Sequence, residues 1–405
     1  MKNPMNERPK RILIFSLVYY PRFIGGAEVA VKEITDRISQ RDFEFDMITL
    51  RLDSRLPKFE RTGNINVHRV GWALKQREPS DSLPWHLHLN KYAMLWTAFT
   101  KALSLNRIRK YDAIWSIMAT YNSFAALFFK LTHPKIPFLL TLQEGDPISY
   151  IKRRALLLYP LFKMIFTKAD KIQAISNYLA DWAREMNARC PISVVPNGVA
   201  VQHFQLTTND QQQRETTRAN LGFPKDDVVL ITTSRLVVKN AVGDIIRALE
   251  LLSERVKLLI IGTGYQEREL KKLAADLRLH NRVKFLGFIS HAEMPAYLWM
   301  SDIFIRPSLS EGMGNSFIEA MAAGLPVIAT PVGGIPDLLK DKETGVFCRP
   351  NDPKSVAETV KLLVADHVLR DKVVQNASKM VAEKYDWKIV AGKMAEILKF
   401  DRNSF

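Results

Sequence analysis

Two carboxylates, Glu311 and Glu319, stand eight positions apart in RPSLSEGMGNSFIEAMAAGLPVIATPVGGIPDLL, residues 306–339. Between them runs a glycine-bearing loop, Gly312, Met313, Gly314 and Asn315. Ser316 is placed to cap a helix with Glu319 in its first turn, and Gly324 can end that helix before the apolar LPVIAT. Loop amides that converge on a helix N-terminus favour an anion, a phosphate above all. The carboxylates need a different partner, and sugar hydroxyls are the natural one.

Cations suited to a diphosphate stand elsewhere. TTSRLVVKN puts Arg235 and Lys239 four residues apart just past an apolar run. Arg offers a bidentate fork and Lys a point charge to a phosphate; solvated surface charge is the bland alternative. YYPRFIGGAEVAVKEI places Gly25 and Gly26 where a strand turns into a helix beginning near Ala27 or Glu28, a diglycine turn that geometry alone can explain. Gly262 and Gly264 in IIGTGYQERELKKL suit a loop beside a nucleotide and equally a tight turn. PFLLTLQEGDPISYIKRR brings Gln143, Glu144 and Asp146 directly after a strand. There is no D-x-D pair, no His/Cys ligand spacing and no HExxH, so no metal or other cofactor is expected.

The E-x7-E spacing of Glu311 and Glu319 resembles that of retaining glycosyltransferase family 4, whose members have two facing Rossmann-like domains (the GT-B type). The resemblance implies a doubly wound α/β fold with an interdomain cleft as active site and a nucleoside diphosphate sugar as donor. It sets Glu311 beside the transferred hexose, as a catalytic residue with Arg235 and Lys239, and Glu319 on the ribose hydroxyls. The amides of Gly312 to Asn315 would contact sugar and phosphate oxygens, with Ser316 closing the donor loop. Gly25, Gly26 and Glu28 match a GGxE element near donor phosphate and acceptor. Phe288 and Ile289, after Gly287, match a loop against the base. Two departures stand out: Gln143 lies where many members have His, and Asn240 and Ala241 replace the glycine that often follows the Lys. Glu144 and Asp146 remain candidates to orient an acceptor, or caps of the next segment. Ser316-x-x-Glu319 also fits a capping box. Two ribose hydroxyls would offer Glu319 about 1.5–3 kcal/mol per charged hydrogen bond, more than the roughly 1 kcal/mol of a cap.

The elements that must position these residues follow from the rest of the chain. Its 405 residues fit two α/β domains, and 47% hydrophobic with 25% charged residues reads as soluble and globular. Strand-like RILIFSL, FEFDMITL, INVHRV, DAIWSI, PFLLTL, KIQAIS and ISVVP alternate with helical stretches, and VVLITTSRL, KLLIIGTG, VKFLGFI, IFIRPS, PVIAT and GVFCRP restart the rhythm. The reading is an N-terminal acceptor domain over residues 1–205, a polar linker at 205–226 ending in a short amphipathic piece, and a donor domain over 206–385. The family's last helix packs back on the first domain, which is the expectation for residues 386–405.

Charge is uneven. Residues 1–205 hold 30 Lys and Arg against 17 Asp and Glu, a net +13 out of the +16 total. Anionic lipid headgroups, a phosphate-bearing acceptor or simple solubility account for such an excess. Nucleic acid is set aside because no binding motif accompanies the charge. YIKRRALLLYPLFKMIFTKADK, from Tyr150, is basic, aromatic and apolar, and reads either as a membrane-surface segment or as a buried crossover helix interrupted at Pro160; LNKYAMLWTAFTKALSLNRIRK has the same ambiguity. No run is long enough to span a bilayer, and Cys190 and Cys348 give no disulfide framework, so a cytoplasmic place at or near the inner face of the membrane is expected. The function implied is hexosyl transfer with retention to a glycan or lipid-linked hydroxyl. Its rivals are a sugar-nucleotide epimerase and a noncatalytic GT-B subunit that binds glycan or membrane, the second favoured by Gln143.

Overall fold

A computed structural model of the chain describes residues 8–22, 24–73, 85–207 and 210–400. The chain forms two compact units. Unit 1 runs to Asn197 and resumes at Trp387, and unit 2 is Gly198–Asp386.

Unit 1 is built on eight strands: β1 (Lys10–Phe15), β2 (Phe43–Leu50), β3 (Phe59–Thr62), β4 (Ile65–Val70), β5 (Ala113–Ile117), β6 (Phe138–Leu142), β7 (Lys171–Ala174) and β8 (Ile192–Val194). Their order is β3-β4-β2-β1-β5-β6-β7-β8. Every pairing is parallel except the β3–β4 hairpin. All residues of β5 and β6 are buried, as in strands covered on both faces. The helices are α1 (Gly26–Arg37), α2 (Trp85–Ile108), α3 (Tyr121–Thr132), α4 (Ile148–Arg154), α5 (Tyr159–Thr167) and α6 (Asn177–Glu185).

Unit 2 opens with α7 (Val201–Phe204) and α8 (Gln211–Asn220) and then alternates β9 (Val228–Thr233), α9 (Val242–Ala248), β10 (Val256–Ile261), α10 (Glu267–Asp276), β11 (Val283–Gly287) and α11 (Met294–Trp299). It continues with β12 (Ile303–Arg306), α12 (Asn315–Ala322), β13 (Val327–Ala329), α13 (Ile335–Leu338), β14 (Val346–Phe347), α14 (Pro353–Ala365) and α15 (His367–Lys384). Its sheet is wholly parallel in the order β11-β10-β9-β12-β13-β14. The core joins Leu230, Leu258, Ile260 and Ile305 of the strands to Ile245, Leu270, Val356 and Val360 of the helices.

The domain boundary differs from the sequence expectation. The chain changes unit at Asn197 rather than 205, and the polar run read as linker folds as α8. No side chain of α8 is buried, which is why its composition resembles a linker. Arg218 anchors it instead, donating to the Met300 carbonyl at 3.0 Å and to Asp302 at 3.2 Å. The final helix α16 (Trp387–Leu398) belongs to unit 1, where it packs on α1 through an apolar face that includes Trp387, Val390, Ala391 and Met394.

Both sheets reverse their winding once, between β1 and β5 and between β9 and β12. Ligands of open parallel sheets lie outside the carboxyl ends of the strands at such reversals. The segment beginning at Tyr150 is neither wholly surface nor wholly crossover: α4 buries nothing, while α5 buries Phe162, Ile165 and Phe166. Among the described residues, no helix is long and apolar enough to cross a membrane.

Candidate functional site

The reversal in unit 2 brings together the loops after β9 and β12. Ser234–Ala241 follows β9, and the Leu309 amide of the second loop donates to the Lys239 carbonyl of the first at 2.7 Å. Arg235 is exposed and Lys239 half-buried. Asn240 turns its side chain inward and donates to the Arg235 carbonyl at 2.7 Å, bracing the bend between the two cations. Ala241 then enters α9 with φ +50°, a left-handed conformation that usually falls to glycine. The departure at Asn240 and Ala241 thus leaves the turn intact, at the expense of strain on an alanine.

In the second loop, the Glu311 carboxylate pairs with Arg306 and accepts from the Gly312 amide at 3.1 Å. Arg306 ends β12 and is only 6% exposed. Its guanidinium donates to the Ser316 hydroxyl at 2.7 Å and lies 4.4 Å from the centre of the Phe317 ring. A side chain at Gly314, where φ is +89°, would meet both Arg306 and Phe317 within 2.6 Å. The Glu311 carbonyl accepts from Gly334 at 3.0 Å, and a Cβ on Gly333 would fall 1.9 Å from it. Strand end, carboxylate and glycine loop therefore hold one another from three sides. Met313 is buried as a whole residue, as is Gly312, whereas Gly314 and Asn315 at the start of α12 are partly exposed.

The capping expectation fails. Gly314 is the N-cap of α12, so Ser316 is the second helical residue and Glu319 the fifth, beyond the first turn. Ser316 has its hydroxyl on Arg306, and Glu319 meets His291 Nε2 at 3.2 Å. His291 follows Phe288 and Ile289 on the loop after β11, so that loop and Glu319 converge; Phe288 is 75% exposed and Ile289 partly buried. Gly324 does terminate α12, with φ +79° just past the cap residue Ala323.

Gly262 and Gly264 are explained by packing. A Cβ on the first would lie 1.9 Å from the Ser234 carbonyl, and one on the second 2.3 Å from the Leu236 carbonyl. They let the loop after β10 press against the loop that carries Arg235.

In unit 1 the candidates serve as braces. Gly25 is the N-cap of α1, and its amide donates to Glu28 at 2.8 Å, so the acid proposed to meet an acceptor folds back on its own helix, which starts at Gly26. Gln143 is partly buried and accepts from Asn197 at 3.3 Å. Glu144 is 3% exposed and neither faces outward nor caps the next segment: one oxygen accepts from the Ala119 amide at 2.5 Å, tying the loop after β6 to that after β5. The other oxygen has no hydrogen-bond partner. Burial pushes this carboxyl up to about 7, against the pull of neighbouring amides. Asp146 is half-buried nearby. Among the described residues, no group of three or more His, Cys, Asp or Glu is arranged to hold a metal ion.

Comparison with known proteins accounts for both units. Residues 24–203 match the family described as Glycosyltransferase Family 4, and residues 213–380 match Glycosyl transferases group 1. This chain belongs to glycosyltransferase family 4. Among its relatives is an uncharacterized glycosyltransferase of Methanocaldococcus jannaschii, 25% identical over 96% of this chain and 98% of that protein. Similar solved structures include a sucrose-phosphate synthase from Thermosynechococcus elongatus, with TM-score 0.81 at 20% identity over 96% of this chain and 98% of that one. Anabaena HepE, solved with UDP-glucose, gives TM-score 0.78 at 20% identity over 96% and 99%. These likenesses show the GT-B fold.

Two residues of this family 4 glycosyltransferase escaped the sequence reading. Arg306 left one signal, a cation closing the apolar strand IFIR five residues before Glu311. His291 left none, because its meeting with Glu319 across 28 positions exists only in the folded unit.

Proposed function

We propose that this glycosyltransferase moves a hexosyl unit from a nucleoside diphosphate sugar to a hydroxyl of a glycan or lipid-linked acceptor, with retention at the anomeric carbon. The observation that carries the reading is the junction at the unit 2 reversal, where the Leu309–Lys239 bond holds the Arg235–Lys239 loop against the Glu311 loop. Cations for a diphosphate and a carboxylate for a sugar thereby occupy adjacent loops at the carboxyl end of one sheet. Glu319, with the exposed Phe288 and the partly buried Ile289 on the converging loop, suits a ribose and its base. HepE, which shares the fold, was solved with UDP-glucose.

In this mechanism the bond from the anomeric carbon to the diphosphate oxygen breaks, and the diphosphate leaves with the electron pair. Arg235, Lys239 and the amides after Glu311 stabilise that growing charge. The acceptor oxygen forms its bond on the same face and gives up its proton to the departing phosphate. Glu311 orients the hexose, and Arg306 fixes Glu311 from beneath. The reading assigns charge neutralisation to the two cations rather than to a metal ion. In unit 1 the acceptor candidates of this reading are Gln143 and Asp146, which are partly exposed, whereas Glu144 is buried.

The test is a thermal-shift series with UDP, GDP and ADP and their common sugars in EDTA, on the parent chain and on Glu319→Ala. One nucleotide should stabilise the parent, and the variant should lose about 1.5–3 kcal/mol of nucleotide binding, roughly ten- to a hundredfold. A folded protein that no nucleotide stabilises would overturn the donor assignment.

A further inference from the structure

The helices of unit 1 carry a charge pattern that the transfer reaction leaves unexplained. Between Asp81 and Glu144 the sequence has a single carboxylate, Asp112, and between Asp146 and Asp170 it has none. These stretches supply α2, α3, α4 and α5. The four helices hold three, one, three and one Lys or Arg respectively, and no Asp or Glu.

The fold joins them into one surface. α3 packs on α2 and on α5. Arg154 of α4 donates to the Tyr121 hydroxyl of α3 at 3.2 Å and lies over the rings of Tyr121 and Tyr150 at 5.9 and 5.6 Å. Tyr121 in turn meets Tyr92 of α2 edge-on at 5.1 Å. Burial, with the charge of Arg154, holds Lys91 below the usual lysine range, and a nearby anion would relieve that repulsion. Lys152 also reaches Glu185 of α6, at 3.1 Å.

This cationic face is also apolar. One residue after Arg154 comes the 3-10 turn Leu156–Leu158, in which Leu156 is 70% and Leu157 96% exposed. Tyr92 and Trp96 are exposed one turn apart on α2. Scattered surface apolar residues are ordinary, but three consecutive leucines beside Lys152, Arg153 and Arg154 form an amphipathic edge. A polyanion such as nucleic acid would use the cations and gain nothing from an aliphatic tip; a lipid surface uses both.

We infer that this face of unit 1 docks on an anionic phospholipid bilayer, with Leu156–Leu158 entering the acyl boundary. Tyr92 and Trp96 sit at headgroup level, and Lys152, Arg153 and Arg154 meet lipid phosphates. The inference goes beyond the transfer reaction and is tested without turnover.

Co-sedimentation of the full chain with vesicles of phosphatidylcholine alone, or mixed about equally with phosphatidylglycerol, provides the measurement. Partition should require phosphatidylglycerol and weaken with salt. Replacing Leu156, Leu157 and Leu158 together by Ser should lower the partition coefficient about tenfold or more, and Lys152→Gln with Arg153→Gln should lower it by a similar factor. These side chains are exposed or half-exposed, so both variants should keep the parent melting temperature and any nucleotide-induced shift. Absence of binding to the anionic vesicles would overturn the inference. So would unchanged partition of the leucine variant, or displacement of the parent by duplex DNA as readily as that variant is displaced, because the face would then be a plain polyanion surface.

Discussion

The loops at the reversal of unit 2 and those at the corresponding end of unit 1 are built in opposite ways. In unit 2 the chemistry-bearing side chains hold one another: Arg306 pairs with Glu311 and bonds Ser316, while Glu319 meets His291. In unit 1 the two glutamates hold backbone, with Glu28 on its own helix start and Glu144 on the amide of a neighbouring loop. The first arrangement fixes charged groups relative to each other, as the proposed recognition of a diphosphate sugar requires. The second fixes loop paths and leaves the surface side chains free to vary.

The contrast is broken most severely at Arg306. The Arg306 and Glu311 side chains are only 7% and 15% exposed, so Arg306→Met leaves a buried carboxylate without its cation. A loss of about 3–5 kcal/mol is expected in denaturant unfolding of unit 2, and the double variant with Glu311→Met should recover much of it. If the single and double variants unfold alike, the pair does not support the loop.

Glu144 sharpens the comparison from the side of unit 1. Its folded carboxyl is raised from 4.5 to about 7 by burial, so the folded state keeps a proton that the unfolded chain releases. Its contribution to stability is whole below about pH 4.5 and is lost as the pH rises through about 7. Unfolding free energy measured across that window should fall with a limiting slope of about 1.4 kcal/mol per pH unit from this group. Glu144→Gln should remove that slope; parallel curves for variant and parent would mean that the carboxyl ionises normally.

The smallest effect belongs to Ala241. At φ +50° a glycine is unstrained, and Ala241→Gly should raise stability by about 0.5–1 kcal/mol in equilibrium unfolding. A loss of stability would indicate that the methyl group packs well enough to outweigh the strain.

Much of this was legible in the sequence, for reasons specific to each element. Buried parallel strands such as AIWSI and FLLTL announce themselves as apolar runs, whereas β3, FERT, alternates exposed and half-buried residues on a sheet edge and gives no such signal. The polar composition of α8 concealed a helix that packs on α11 and is anchored through Arg218. At the candidate site, spacing singled out Glu311, Glu319, Arg235 and Lys239 as candidates, since it is read from local order alone. The alternative for Ser316 and Glu319 required knowing where α12 begins, and a helix capped by Gly314 rather than by Ser316 turns the expected cap into a partner of Arg306. Glu144 read as an outward acid because a strand end says which residues follow, not which way they turn.

α16 makes unit 1 discontinuous, for its sheet and helices come from residues up to Asn197 and its last layer from Trp387 onward. On the ribosome the ordinary sequence of events is therefore reversed. Domains usually fold in the order in which they emerge, yet here unit 2 is complete while α1 still waits for its packing partner. The half synthesised first is the half finished last, and until then the apolar face of α1 that α16 covers is open to chaperones.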